Sequence, residues 1–419
     1  MRFKIKGGKN LSGEIHIKGA KNAALKILPA TLLASSPSTI TSVPDISDMR
    51  KLLEMLESMG ARVTFQNNTV HIDPTSIASP HPNEELVKKL RGSIVLLGPL
   101  LARFGEATLS QPGGCLIGAR PIDDHLDVFR QLGVEIEHRD EKFYFKGKPQ
   151  AGHVVLGKLS VTATENAMMA AVFSRGVTTI HVAAAEPEVE DLARLLNAMG
   201  ARIFGAGTHQ VTIQGVDRLE GVVHEVIPDR IEAGTYLIAG IATQSEITVG
   251  PLISHHNDLF LKKLKNAGAR FDIFQKDGKE FIRTHPSREL VAQDIDPRPY
   301  PGFPTDLQPQ YAVLMTQARG RAEIFDTLFE GRFRYVEELR LMKARAEVIN
   351  SNRIAIEGPV QLKGAEVSSL DIRGGAAVVL AGLIAQGETI INNVEFIDRG
   401  YENIDEKLRA LGAEIERIE

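Results

Sequence analysis

The chain has one cysteine, Cys115, and no tryptophan. A single thiol excludes an intramolecular disulfide and suits a reducing compartment. With no tryptophan and only 5% aromatic residues, there are few platforms on which nucleic-acid bases could stack. A large charge of either sign is also missing. The net charge of −4 gives no basic field for a polyanion, which sets nucleic acid aside as a main partner. Any anionic ligand must therefore be held by a local cluster of Lys and Arg. No apolar run is long enough to span a bilayer; Ile94 to Ala102, among the most apolar stretches, is too short. The start, Met1-Arg2-Phe3-Lys4-Ile5-Lys6, alternates like a strand and lacks the apolar core of a signal peptide. The expected location is the cytoplasm, with no membrane partner. Neither a G-x-x-x-x-G-K-[ST] phosphate loop nor a G-x-G-x-x-G fingerprint occurs. His125 and the pair His255-His256 lack metal-site spacing and read as solvated or capping residues.

What the chain does have is repetition. Its 419 residues suit two domains rather than one core. An amphipathic helix, then Leu/Met-Gly-Ala, then an alternating strand recurs along its whole length. The motif is seen as Met59-Gly60-Ala61, Leu132-Gly133-Val134, Met199-Gly200-Ala201, Ala267-Gly268-Ala269 and Leu411-Gly412-Ala413. A degenerate copy, Met342-Lys343-Ala344, fills the remaining gap, so the central residues lie 67 to 75 apart. Ile46, Met49, Leu53, Leu56 and Met59 form one face of a helix that Asp45 or Ser47 can cap. Gly60 takes the left-handed position that ends it. Upstream of each such helix lies a small-residue helix and a Thr/Ile-rich strand, as in Asn22-Ala23-Ala24-Leu25 to Ile40 and Gly375-Ala376-Ala377 to Ile390. Each unit reads strand, helix, strand, helix, strand, strand. Helices rich in Ala and Gly on all sides should be buried among other elements. Six units suit an α/β fold of two domains with three repeats each, divided near Ile227-Pro228-Asp229-Arg230.

The small-residue helices share a second feature. Polar and charged residues stand at their starts: Lys21-Asn22, Arg91-Gly92-Ser93, Thr162 with Thr164-Glu165-Asn166, Asp229-Arg230 with Glu232, Thr305-Asp306 with Gln308, and Asp371 with Arg373. Helix N-termini carry free N–H groups and partial positive charge, so they attract phosphate or carboxylate. At any one position an ordinary cap or ion pair is the simpler reading. Repeated use of the same place points to an anion site. Cys115 lies in the loop Gln111-Pro112-Gly113-Gly114-Cys115-Leu116-Ile117-Gly118-Ala119-Arg120-Pro121. A lone cysteine is usually a small core residue. Its Gly-rich, Arg-flanked setting tilts the reading toward a reactive thiol whose pKa Arg120 lowers. Asp306, in Pro304-Thr305-Asp306-Leu307-Gln308, fits a general base or a helix N-cap equally well.

Six segments carry a resemblance to a known family. They are Gly19-Ala20-Lys21-Asn22-Ala23-Ala24-Leu25, the loop Pro112 to Pro121, Pro228-Asp229-Arg230-Ile231-Glu232, Phe303-Pro304-Thr305-Asp306, Phe329-Glu330-Gly331-Arg332-Phe333, and Asp398-Arg399-Gly400-Tyr401-Glu402. Over essentially its whole length the chain resembles the UDP-N-acetylglucosamine 1-carboxyvinyltransferases, enolpyruvyl transferases of peptidoglycan precursor synthesis. The resemblance implies two inside-out, barrel-like α/β domains, each of three βαβαββ units. It places one domain at residues 20–228 and the other at 1–19 plus 229–419, the chain crossing twice between them as at a hinged cleft. It implies phosphoenolpyruvate and UDP-N-acetylglucosamine as substrates, with no metal and no redox cofactor, and leaves the oligomeric state open, a monomer being compatible. Lys21, Asn22, Arg120 and Arg399 resemble phosphoenolpyruvate contacts, with Arg332 and Arg373 close by. Arg91, Arg120, Pro121, Ile122, Asp123, Asp124, Lys158, Leu159, Ser160, Val161, Asp306 and Leu328 resemble positions that hold the nucleotide sugar. Cys115 resembles the general acid, which can also form a covalent phospholactoyl adduct and is the thiol that fosfomycin alkylates. Asp306 resembles the base for the sugar 3-hydroxyl, and Lys21 and Arg399 complete the catalytic set. Thr162 stands where the family usually has Gly, and Gly374-Gly375 replaces a usual Ala-Ser pair.

Two other readings compete. The sister enzyme that acts on shikimate 3-phosphate shares the fold and chemistry but not the Cys115 loop. A non-catalytic paralogue that binds a UDP-sugar is disfavoured by the presence of Lys21, Cys115, Asp306 and Arg399.

Overall fold

The computed structural model describes residues 1–110, 113 and 121–419. These divide into two compact units, one of residues 1–17 and 228–419, the other beginning at residue 18 and ending at 227.

In the first of these units, three helices are buried almost from end to end. They are Arg230–Ala242, Gln308–Met315 and Ile372–Ile384. Ala and Gly let backbones approach closely, and the three helices pack on one another. Gly234 illustrates the fit: a Cβ there would stand 2.5 Å from the Leu307 side chain. Three sheets flank them. One runs in the order 366–368, 388–392, 2–6 and 414–418; another runs 270–276, 279–285, 246–252 and 12–16; the third runs 320–325, 353–358 and 345–350. The strand Ser12–His16 lies parallel to Glu246–Leu252, so the first residues of the chain complete a sheet begun more than 200 residues later. Phe3, Ile5, Ile15 and Ile17 enter the same core as Ile238, Tyr311 and Val379.

The second unit repeats the scheme with Lys21–Ala30, Leu97–Phe104 and Val161–Ala171 as its buried helices. Its sheets run 202–204, 210–214, 177–181, 153–155, then 223–225, 38–41, 69–73, 62–66, and 106–110, 142–146, 135–139. The amphipathic helices that precede the Gly-Ala motif bury one face, as the spacing requires: Ile46, Met49, Leu53, Leu56 and Met59 are all buried.

The six-element repeat is complete in four places, the last of them taking Arg2–Lys6 from the start of the chain as its final strand. In the second and fifth repeats no strand precedes the buried helix among the described residues. Pro74, Pro80 and Pro82 break up the first of these stretches. In the other, Val291 and Ile295 keep isolated parallel bridges to Arg319 and Ile324, and Pro297, Pro299, Pro301 and Pro304 follow before the helix. A residue without an N–H cannot join a ladder. Both sheets have three strands instead of four. Neither Asp45 nor Ser47 caps its helix through a side chain; Ile46 holds the cap position and Asp45 binds Arg50 at 2.6 Å.

The motif glycines adopt positive φ, from 78° at Gly133 to 109° at Gly200. Lys343 does the same at 69°, so the degenerate copy keeps the backbone turn without the residue that favours it. Gly200→Ala should cost about 1–2 kcal/mol from the dihedral alone, since a Cβ there would meet no atom closer than 3.9 Å. Lys343→Gly should leave stability unchanged or raise it by up to about 1 kcal/mol. Urea unfolding of the three proteins checks both; equal stability of Gly200→Ala and wild type would contradict the strain argument.

Candidate functional site

Several of the charged groups buried in each unit stand at or near helix starts. In the unit of residues 228–419, Asp229 accepts hydrogen bonds from the Ile231 and Glu232 amides, and Asp371 from those of Arg373 and Gly374. Both are N-caps. Asp306 is not. It sits in the short turn Thr305–Leu307, where Pro304 holds the cap position, and its carboxylate faces two arginines. Arg332 reaches Oδ1 at 2.7 Å, and Arg373 donates to Oδ2 through Nε at 3.1 Å and Nη2 at 3.0 Å. Arg332 is 1% exposed and Arg373 5%. Arg332 also donates to Thr305 Oγ1, whose hydroxyl donates to Asp326 at 2.6 Å. Arg373 lies over the Tyr401 ring, 5.4 Å from its centroid.

Burial alone would raise the Asp306 pKa, but the Arg373 and Arg332 charges outweigh it and hold the carboxyl well below the usual carboxylate range. The group is an anion at neutral pH, and two buried guanidiniums depend on it. Leu328 is close in sequence to this cluster, its amide donating to Asp326 Oδ1. Arg399 is half-buried in the turn before Tyr401, in the same unit.

In the unit of residues 18–227, Lys21 opens the first buried helix and pairs with Asp48 at 2.7 Å, both side chains under 10% exposed. Asp48 opens the next helix in the chain, and the sequence reading missed it as a partner. Asn22 is half-buried beside Lys21. One turn on, Lys26 donates to the Asn22 carbonyl at 2.6 Å and lies 3.4 Å from the fully buried Glu165. Burial pushes the Glu165 carboxyl up to about 8 despite that lysine.

A second group in this unit joins Arg91, His125, Lys158 and Thr162. Lys158 is exposed and pairs with Asp124 at 3.0 Å. Asp123 and Asp124 form the first turn of the helix Asp123–Gln131, preceded by Pro121 and the buried Ile122. Leu159, Ser160 and Val161 lead into the helix Val161–Ala171, whose start carries no side-chain cap. His125 is 5% exposed, which corrects its reading as a solvated or capping residue. The signal was present in the sequence: His125 shares a helix face with Phe129 and Leu132 at spacings of four and seven. Burial, then the Arg91 and Lys158 charges, push its pKa down to about 3, so the ring is neutral. Cys115 and Arg120 lie outside the described residues.

Comparison with known proteins gives this arrangement a family. The model described as EPSP synthase (3-phosphoshikimate 1-carboxyvinyltransferase) matches residues 5–408. The chain belongs to this EPSP synthase family of enolpyruvyl transferases. Within it, the chain is 46% identical over 418 residues to the UDP-N-acetylglucosamine 1-carboxyvinyltransferase of Coxiella burnetii (strain RSA 493 / Nine Mile phase I), covering 99% of this chain and 95% of that one. It is 45% identical to the enzyme of the same name from Halothermothrix orenii (strain H 168 / OCM 544 / DSM 9562), over 100% of this chain and 99% of that one. Among solved structures, the enolpyruvyl transferase NikO from Streptomyces tendae superposes with a TM-score of 0.90 at 26% identity, over 99% of this chain and 98% of that one.

Asp306→Asn should destabilise the protein by about 3 kcal/mol at pH 7, because it leaves two buried guanidiniums without their counter-charge. A carboxylate with a depressed folded-state pKa contributes fully above its unfolded value, about 3.9, and loses that contribution as pH falls toward the folded value. The gap between wild type and variant should therefore be flat from pH 8 to about pH 5 and narrow only below about pH 4. Denaturant titrations across that range check it. No gap at pH 7, or a gap that stays unchanged down to about pH 3, would mean an ordinary, unpaired aspartate.

Proposed function

We propose that this protein transfers the enolpyruvyl group of phosphoenolpyruvate to the 3-hydroxyl of UDP-N-acetylglucosamine, releasing phosphate. One observation carries the reading: identity of 45–46% over 99–100% of the chain to proteins that bear that activity as their name. The ion-paired Asp306 and the cationic groups near the helix starts are consistent with two anionic substrates.

In this reading Asp306 accepts the 3-hydroxyl proton as the sugar oxygen bonds to C2 of phosphoenolpyruvate, while Cys115 delivers a proton to C3. The tetrahedral adduct then loses the C2–phosphate bond and a C3 proton, restoring the double bond. Lys21, Asn22, Arg120 and Arg399, together with Arg332 and Arg373, bind phosphoenolpyruvate and offset its charge. Arg91, Pro121, Ile122, Asp123, Asp124, Lys158, Leu159, Ser160, Val161 and Leu328 hold the nucleotide sugar. An aspartate held so acidic is a weak base. Arg332 and Arg373 address this: as their charge is shared with an incoming phosphate or carboxylate, their hold on Asp306 relaxes and its basicity rises. Residues 20–228 and 1–19 with 229–419 serve as the two functional domains, and the enzyme works in the cytoplasm. Among the described residues, no helix is long and apolar enough to cross a membrane.

Phosphate release should require phosphoenolpyruvate and UDP-N-acetylglucosamine together, and should not occur with shikimate 3-phosphate. Turnover only with shikimate 3-phosphate, or with neither acceptor, would reject the proposal. Cys115→Ser and Asp306→Asn should each lower kcat by about 100-fold or more while the far-UV spectrum is kept. Wild-type rates in both variants would refute the assigned acid and base.

A further inference from the structure

Two carboxylates share Arg332, and only one of them is open to solvent. Asp306 keeps 26% of its side chain exposed and takes the Arg332 Nη2 donor at 2.7 Å. Asp326 is fully buried and meets the same guanidinium at one remove, through the Thr305 hydroxyl. Chemistry fixes the direction of this relay. A guanidinium can only donate, so Arg332 Nε–H points to Thr305 Oγ1 at 3.2 Å. The single hydrogen of that hydroxyl then goes to Asp326 Oδ2 at 2.6 Å. The Leu328 amide, also only a donor, reaches Oδ1 at 2.9 Å. Both Asp326 oxygens thus face donors, the pattern that suits an ionised carboxylate. Burial raises its pKa; the Thr305 and Leu328 bonds and the Arg332 charge limit the rise.

The simplest reading of Asp326 is a turn residue. Its bond to Leu328 makes an Asx turn just past the strand Gly320–Phe325. Asparagine makes that turn equally well, so the turn does not account for a buried charge. The charge does reach Arg332. When Asp306 takes up a proton, Arg332 and Arg373 lose counter-charge while still buried. Bonded through Nε to Thr305, Arg332 keeps a partner as its Nη2 bond to Asp306 weakens. The Asp326 charge also disfavours a second anion nearby, which makes Asp306 the stronger base.

We infer that Asp326 is a positioning residue: acting through Thr305, it anchors Arg332 and supplies the counter-charge that lets Asp306 accept a proton. The inference rests on the proposed role of Asp306 as base and adds the buried group behind it.

Steady-state kinetics of the full-length enzyme tests it. Asp326→Asn keeps the turn, because the Leu328 amide selects the carbonyl oxygen. It removes the charge and turns an NH2 group toward Thr305, which reverses the relay. Its kcat should fall about tenfold, with the phosphoenolpyruvate KM lower or within about twofold, since losing a negative charge does not weaken binding of an anion. Thr305→Val breaks the relay from the other side and should lower kcat by a similar factor. Thr305→Ser keeps the hydroxyl and should stay within about threefold of wild type. The double variant Asp326→Asn/Thr305→Val should fall well short of the product of the single losses. If wild type turns over and Asp326→Asn matches its kcat, the inference fails and the activity stands. A large rise in the phosphoenolpyruvate KM at unchanged kcat overturns it too, as the mark of disturbed packing. Should Asp326→Asn not fold, equal kcat in Thr305→Val and Thr305→Ser overturns it. A wild type that uses another acceptor rejects the proposed substrate, and the same comparison with that acceptor still decides on Asp326. A wild type that releases phosphate with no acceptor removes the base and the inference together.

Discussion

A helix that is apolar on every side has to be surrounded, and that constraint organises both units of this protein. The helices Arg230–Ala242 and Ile372–Ile384, rich in Ala and Gly, and Gln308–Met315 are buried nearly all round and have no face to turn toward water. Sheets must supply the cover, and each sheet in turn needs a face to bury. The N-terminal turns are the one place where such a helix can carry charge. Charge placed there is half-buried, shielded from water and close to free amides, which makes it effective on a bound anion and costly when unpaired. Chemistry at helix starts thus follows from burial of the helices behind them.

Asp306 shows the cost and the use of that placement. Two buried arginines need it as a counter-ion, and the same pairing depresses its basicity. In the proposed role as base, structural pairing and proton abstraction would pull in opposite directions, with an anionic substrate as the agent that shifts the balance. Lys21 with Asp48 is a comparable buried pair in the other unit. His125 takes the opposite course: burial beside two cations keeps it neutral, so it serves in hydrogen bonds to Asn166 and Thr162 rather than as a charge.

The repeat architecture was legible in the sequence because its signal is local. Five glycines and Lys343 mark the same left-handed turn, and the apolar spacing of residues 46–59 marks the helix before it. The strand missing from the second repeat was also written locally, in Pro74, Pro80 and Pro82, but the strength of the repeat concealed it. Partners within the site were not legible. Arg332 and Arg373 lie 26 and 67 residues from Asp306, and Asn166 lies 41 from His125, so only the folded chain brings them together. At Asp229 and Asp371 the ordinary capping role suggested by the sequence is the one observed, whereas at Asp306 it is not.

The central claim is that catalysis proceeds by adding a proton to C3 and later removing one. Turnover of phosphoenolpyruvate and UDP-N-acetylglucosamine in deuterium oxide, with mass analysis of the product, tests it most directly. Addition followed by elimination places solvent deuterium on the C3 methylene of the enolpyruvyl product. Product formed at the normal rate without any deuterium at C3 would contradict it.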